Sequence, residues 1–130
     1  MKESKSKTIL IVEDDNVARR AIGRLLQVEG WRTIEASNGV QGLRIFRNQA
    51  PEIVLTDVVM PGLDGFFLTA VIKSISPDSA VIIMTGLGDT ELDGKAQALG
   101  VNAFLRKPFE PDALLVALSQ LDGSSNGEKK

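Results

Sequence analysis

Five short apolar runs alternate along the chain with longer stretches in which apolar residues recur every three or four positions. The runs are Thr8–Val12, Arg32–Ala36, Ile53–Thr56, Ala80–Met84 and Ala103–Arg106. Val, Ile, Leu and Thr are frequent in most of them, as expected of strands buried on both faces. Arg32–Ala36 is the most polar and suits a sheet edge. The stretches between them predict helices. The first starts near Asn16, whose side chain can cap a free first-turn amide. It places Val17, Ala21, Leu25 and Val28 at helical spacing, with Ala18, Ile22 and Leu26 alongside, and ends at Gly30. The second runs from about Val40 to Gln49 with Leu43 and Phe46 inward. The third covers about Phe66 to Ser74 and stops before Pro77. The fourth covers about Thr90 to Leu99, ends at Gly100 and is softened by Gly94, because a mid-helix glycine costs about 1 kcal/mol relative to alanine. The fifth runs from about Pro111 to Leu121.

Five βα units in alternation predict one α/β sheet of parallel strands, joined by right-handed crossovers, with helices on both faces. At 130 residues the chain suits a single domain over 8–122. Residues 1–7 and the polar stretch 123–130 are expected to be flexible termini.

Composition narrows the chemistry. Hydrophobic residues make up 43% of the chain, charged residues 25%, and the net charge is −2. No basic balance points to nucleic acid or to a membrane surface. No apolar run reaches the roughly 20 residues that span a bilayer, so a cytoplasmic location is the default expectation. There is no cysteine and no histidine. Disulfides, thiolate metal sites, histidine metal sites and histidine-dependent nucleophile systems are therefore excluded for these residues.

The chemistry-bearing residues fall at strand ends. Glu13-Asp14-Asp15 follows the first strand, Asp57 the third, Thr85-Gly86 the fourth and Lys107-Pro108 the fifth. In a parallel sheet those ends share one edge, which is where ligands bind in open α/β sheets. Glu13, Asp14 and Asp57 bring three carboxylates close together, and these raise one another's pKa unless a cation intervenes. Oxygen-only ligands suit a hard cation such as Mg²⁺. An acidic pocket that holds Mg²⁺ and a lysine is suited to receive a phosphoryl group, with the Thr85 hydroxyl available to bond a phosphoryl oxygen. Taken singly, each residue has a plainer use. Asp57 and Asp64-Gly65 read as turn residues, Asp15 as a helix cap, Lys107 as a surface lysine and Phe104 as core. Convergence of the set favours chemistry.

Four stretches together resemble the receiver domains of two-component response regulators in their single-domain, chemotaxis-regulator-like form. They are Ile9-Leu10-Ile11-Val12-Glu13-Asp14-Asp15, Asp57-Val58-Val59-Met60-Pro61-Gly62-Leu63-Asp64-Gly65, Met84-Thr85-Gly86 and Phe104-Leu105-Arg106-Lys107-Pro108-Phe109. The resemblance implies a doubly wound, flavodoxin-like (βα)5 fold with strand order 2-1-3-4-5. It implies Asp57 as phosphoacceptor, and Asp14, Asp57 and the Val59 carbonyl as Mg²⁺ ligands, with Glu13 acting through a water. It implies that Thr85 and Lys107 contact the phosphoryl group, that Thr85 and Phe104 form the switch, and that the Lys107-Pro108 bond is cis. The implied donor is a phosphohistidine on a sensor kinase or phosphotransfer protein. The implied reader is an effector protein or output domain, docked on the fourth helix, fifth strand and fifth helix. Direct nucleic-acid or membrane binding is not implied, and a homodimer on phosphorylation is left open. Beyond its own phosphorylation and dephosphorylation such a domain is not an enzyme.

Four positions depart from the family pattern. Glu13 replaces the more common aspartate, Gly86 the usual alanine, and Val59 and Leu87 are both apolar where a water would approach the aspartyl phosphate. Neither can orient that water, which predicts slow self-dephosphorylation. Three other classes share parts of the pattern. A Mg²⁺-dependent aspartate-nucleophile phosphatase would need a cap or substrate pocket for which 130 residues leave no room. A flavin carrier would need a Ser-, Thr- or Gly-rich phosphate loop where Glu13-Asp14-Asp15 stands. An interaction-only receiver would not need the complete set of acids and lysine.

Overall fold

The computed structural model describes residues 7–86 and 90–127. Its elements are β1 (Thr8–Val12), α1 (Asn16–Val28), β2 (Arg32–Ala36), α2 (Gly39–Gln49), β3 (Ile53–Asp57), α3 (Gly65–Ile75), β4 (Ala80–Thr85), α4 (Thr90–Ala98), β5 (Ala103–Arg106) and α5 (Pro111–Gly127). All strand pairs are parallel, in the order β2-β1-β3-β4-β5. The expected order and the edge position of β2 both hold.

Successive side chains of a strand point to opposite faces, and both faces here are covered. Leu10, Val12, Val54, Val81 and Ile83 pack with Phe46, Leu68 and Ile72 from α2 and α3. Ile9, Ile11, Leu55, Ile82 and Met84 pack with Leu26 of α1 and with Leu114 and Leu118 of α5. This is why the strand sequences are continuously apolar rather than alternating. Burying each such side chain contributes roughly 1.5–3 kcal/mol, and all ten of these strand residues are almost fully buried.

Two helices differ from expectation. In α1 the cap is Asp15, as its plainer reading expected, and not Asn16: the Asp15 Oδ1 accepts from Val17 N at 2.9 Å and Ala18 N at 3.2 Å, so Asn16 is the first helical residue. The buried face carries Arg19, Gly23 and Leu26, while Val17 is 80% and Val28 82% exposed. Two apolar stripes compete along this helix, and only one can face the sheet. The stripe of Ala18, Ile22 and Leu26 takes the inner position together with Leu25 from the other stripe, because Ile22, Leu25 and Leu26 offer more apolar volume than Val17, Ala21 and Val28, which face outward. The second difference is α5, which runs to Gly127 rather than stopping near Leu121, so the polar residues Gly123 to Gly127 continue the helix. Extending a formed helix fixes one residue per added bond, and no proline interrupts it. Residues 1–6 and 128–130, where the remaining flexible termini were expected, lie outside the described residues.

Gly94 sits inside α4, and a Cβ built there meets nothing within 4 Å. Gly94→Ala is therefore expected to stabilise the protein by about 1 kcal/mol. A urea unfolding midpoint that stays put or falls would show that another contact, not helix propensity, controls this position.

Candidate functional site

The C-terminal ends of β1, β3, β4 and β5 place the site. At the end of β1, Glu13 is only 1% exposed, and its main-chain N donates to the Ala36 carbonyl of β2 at 3.1 Å. Its Oε2 accepts from Asp15 N at 3.0 Å. Asp14, next along, is exposed. At the end of β3 the chain turns at once, and the turn is tied to Asp57 itself. The Asp57 Oδ1 accepts from Val58 N at 2.7 Å and from Val59 N at 3.3 Å. Gly65 N donates to the Val58 carbonyl at 2.9 Å, which brings the start of α3 back against the strand end. Asp64 caps that helix by accepting from Phe67 N at 2.8 Å. A Cβ on Gly65 would lie 2.1 Å from the Asp57 carbonyl oxygen, so only glycine permits this approach. Asp64-Gly65, read from sequence as a turn, is thus a helix cap followed by a packing requirement that shapes the Asp57 backbone.

Lys107 arrives from β5. Its main-chain N donates to the Thr85 carbonyl at 2.8 Å, and the Lys107-Pro108 bond is cis, as the resemblance implied. Its Nζ donates to Glu13 Oε1 at 2.6 Å and to Asp57 Oδ2 at 2.7 Å. One ammonium therefore bridges two carboxylates 44 positions apart in sequence, a span set by the sheet order. Glu13, Asp14 and Asp57 each offer a carboxylate oxygen, and these oxygens all lie within 4.8 Å of one another. The set holds oxygen donors only, which fits a hard dication such as Mg²⁺ and fits a softer metal poorly.

The electrostatics follow from burial and charge. Burial pushes the Glu13 carboxyl above the ordinary value, against the opposing effect of its bond to Lys107. Burial pushes Lys107 down, but its hydrogen bonds to Asp57 and Glu13 outweigh that, and the net displacement is upward. A lysine with a raised folded pKa stabilises the fold fully below its ordinary value of 10.5 and loses that contribution as pH rises through the higher folded value. Lys107 is therefore cationic throughout the neutral range.

The other expected positions divide. Thr85 is fully buried at the end of β4, next to Lys107 through the bond given above. Val59 follows Asp57 and is 58% exposed. Gly86 is exposed, and a Cβ there meets nothing within 4 Å. Leu87 lies outside the described residues. Phe104 does not join the acids. It pairs with Ile83 in the sheet, packs against the core on the α2–α4 face, and has the Arg106 guanidinium 5.3 Å from its ring centroid. Arg106 also bonds both oxygens of Asp93 on α4, at 2.8 and 3.1 Å. Around them lies a groove of about 410 Å³, lined by Asp93, Ala96, Gln97, Phe104 and Arg106.

Residues 9–119 match the family described as the response regulator receiver domain. Sporulation initiation phosphotransferase F of Bacillus subtilis is 33% identical over 115 residues, which cover 88% of this chain and 93% of that protein. A cyclic di-GMP phosphodiesterase of Thermotoga maritima is 34% identical over 112 residues. The match covers 86% of this chain but only 30% of that protein's length. Among solved structures, a response regulator receiver domain protein from Clostridium thermocellum superposes with a TM-score of 0.87 at 34% identity, covering 92% of this chain and 97% of that one.

Proposed function

Because the chain belongs to the response regulator receiver domain family, we propose that Asp57 accepts a phosphoryl group and that Glu13, Asp14, Thr85 and Lys107 serve that transfer. The observation that carries this reading is the Lys107 ammonium held 2.7 Å from Asp57 and 2.6 Å from Glu13 inside a cluster of three carboxylates. Asp14, Asp57 and the Val59 carbonyl would hold Mg²⁺ directly, and Glu13 through a water. Bound there, Mg²⁺ would neutralise charge on the oxygens of the transferring group.

The chain itself performs the rest. An Asp57 carboxylate oxygen attacks phosphorus as the phosphorus–nitrogen bond of a phosphohistidine breaks. The bonding pair leaves with the imidazole, which takes up a proton. These 130 residues contain no histidine, so the donor lies on a sensor kinase or phosphotransfer protein, or elsewhere outside this sequence. The main-chain bonds to Asp57 Oδ1 leave Oδ2 as the oxygen paired with Lys107, and that ammonium then has a phosphoryl oxygen to hold. The Thr85 hydroxyl would move toward the new phosphoryl group, and Phe104 would turn inward behind it. The readout is a changed α4–β5–α5 surface, where the groove beside Phe104 offers a place for an effector or output domain. Among the described residues, no helix is long and apolar enough to cross a membrane.

Incubation with acetyl phosphate and Mg²⁺, followed by intact mass, tests the reading. One added phosphoryl group is expected, and none when a chelator removes Mg²⁺. Absence of an adduct under every condition would leave an interaction-only receiver. A second expectation concerns lifetime. The exposed Val59 side chain has no polar atom with which to orient a water, so the aspartyl phosphate is expected to hydrolyse slowly. Val59→Asn should shorten its half-life several-fold. A wild-type half-life of seconds, unchanged in that variant, would sink the idea.

A further inference from the structure

Arg19 is a polar residue on the buried face of α1, only 8% exposed, and nothing in the transfer chemistry above uses it. Its guanidinium makes three hydrogen bonds in three directions. Nε donates to Glu35 Oε1 of β2 at 3.1 Å, Nη1 to the Glu13 main-chain carbonyl at 2.9 Å, and Nη2 to Asn16 Oδ1 at 2.7 Å. Room for the Glu35 carboxylate comes from Gly23, one turn further along α1. A Cβ there would lie 3.0 Å from Glu35 Oε2. The edge strand, the first helix and the acidic loop are thus joined through one side chain.

Glu13 is then held at every polar group. Its N bonds to Ala36, its carbonyl accepts from Arg19, and its two carboxylate oxygens accept from Asp15 N and Lys107. These restraints differ in kind. The carboxylate bond to Lys107 must weaken when a dication enters and competes for the same acids. The main-chain bonds to Ala36 and Arg19 involve no group that the cation takes, so they persist through loading. We propose that Arg19, oriented by Glu35, is a positioning residue that keeps the Glu13-Asp14 loop in place for metal binding. The inference rests on the reading that these acids hold Mg²⁺. A planar guanidinium suits the task because its five N–H groups form a fixed fork. A lysine ammonium on a flexible stem cannot reach all three acceptors in one posture.

Charge and position predict opposite signs, which makes the proposal testable. Arg19→Gln removes a cation near a dication site, so by charge alone it should tighten Mg²⁺ binding. Loss of positioning should weaken it. The Mg²⁺ dissociation constant of the unphosphorylated full chain is measured by following backbone amide shifts. The initial rate of phosphorylation by acetyl phosphate is measured at saturating Mg²⁺, and stability by urea unfolding. We expect Arg19→Gln to weaken Mg²⁺ binding roughly tenfold or more, as loss of a group that orients a ligand does, while the rate at saturating Mg²⁺ returns to the wild-type value. Arg19→Lys keeps the charge, is the milder change to the fold, and is expected to fall between. Wild-type or tighter Mg²⁺ affinity in Arg19→Gln overturns the proposal, as does unchanged affinity in Arg19→Lys should the glutamine variant not fold. Failure of the wild-type chain to bind Mg²⁺ at all would instead sink the reading of the acids on which it rests.

Discussion

Lys107→Ala is expected to take a phosphoryl group from acetyl phosphate about 100- to 1,000-fold more slowly than the wild type, the usual loss when one preorganised donor to a developing charge is removed. It is also expected to bind Mg²⁺ more tightly. The two effects share a cause. The ammonium lies 2.6 Å from Glu13 and 2.7 Å from Asp57, so it occupies oxygens that a dication would claim. Without it, carboxylates whose oxygens lie within 4.8 Å of one another lose the ammonium that offsets their repulsion, and Mg²⁺ would replace that charge. Affinity rises, and in metal-free buffer the variant should unfold at lower urea, with Mg²⁺ restoring much of the loss. The rate is nevertheless expected to fall, because on the function proposed above the cation beside Asp57 Oδ2 would meet a phosphoryl oxygen. Amide-shift titration with Mg²⁺ and initial rates by intact mass check both halves. A rate near wild type at saturating Mg²⁺ would remove Lys107 from the transfer. Weaker Mg²⁺ binding would show that the lysine organises the acidic loop more than it competes for it.

Most of this site was legible because strand ends are. Continuous apolar runs locate strands buried on both faces, and a parallel sheet sends all their C-terminal ends to one edge. Glu13, Asp14, Asp57 and Lys107 could therefore be brought together before any distance was known. Other features depend on quantities a linear pattern does not contain. The rotation of α1 turned on a contest between two apolar stripes, decided by packing volume against the sheet. Arg19 carries no such signal, because an arginine in a helical pattern reads as part of an outer face. Only three converging acceptors, Glu35, the Glu13 carbonyl and Asn16, make its burial tolerable. Gly65 offered the signal of a turn residue, and its actual constraint is a contact between α3 and the strand end. The extension of α5 to Gly127 runs through glycine, serine and asparagine, whose propensities argue against a helix.

Gly65→Ala is expected to destabilise the protein by roughly 3 kcal/mol or more, at or beyond the upper end of the usual cost of overpacking. Helix propensity predicts the reverse sign, because Gly65 is the first residue of α3 and alanine is the better helix former. Close approach decides the outcome. The added Cβ would sit 2.1 Å from the Asp57 carbonyl oxygen and 2.9 Å from the Val58 Cα, both backbone atoms that no rotamer change can move aside. Either α3 slides away from the strand end, losing the Gly65–Val58 bond and part of the Leu68 and Ile72 packing, or the turn after Asp57 shifts. The second course disturbs the Val58 and Val59 amides that hold the Asp57 carboxylate, so phosphorylation should slow in whatever fraction stays folded. Against a total stability of about 5–15 kcal/mol, such a loss is readable as a large fall in the urea midpoint. Gly94→Ala is the control, because its Cβ meets nothing and propensity alone sets the sign there. If both variants gain stability, α3 can move freely at its first turn, and the position of Asp57 does not depend on how closely that helix approaches.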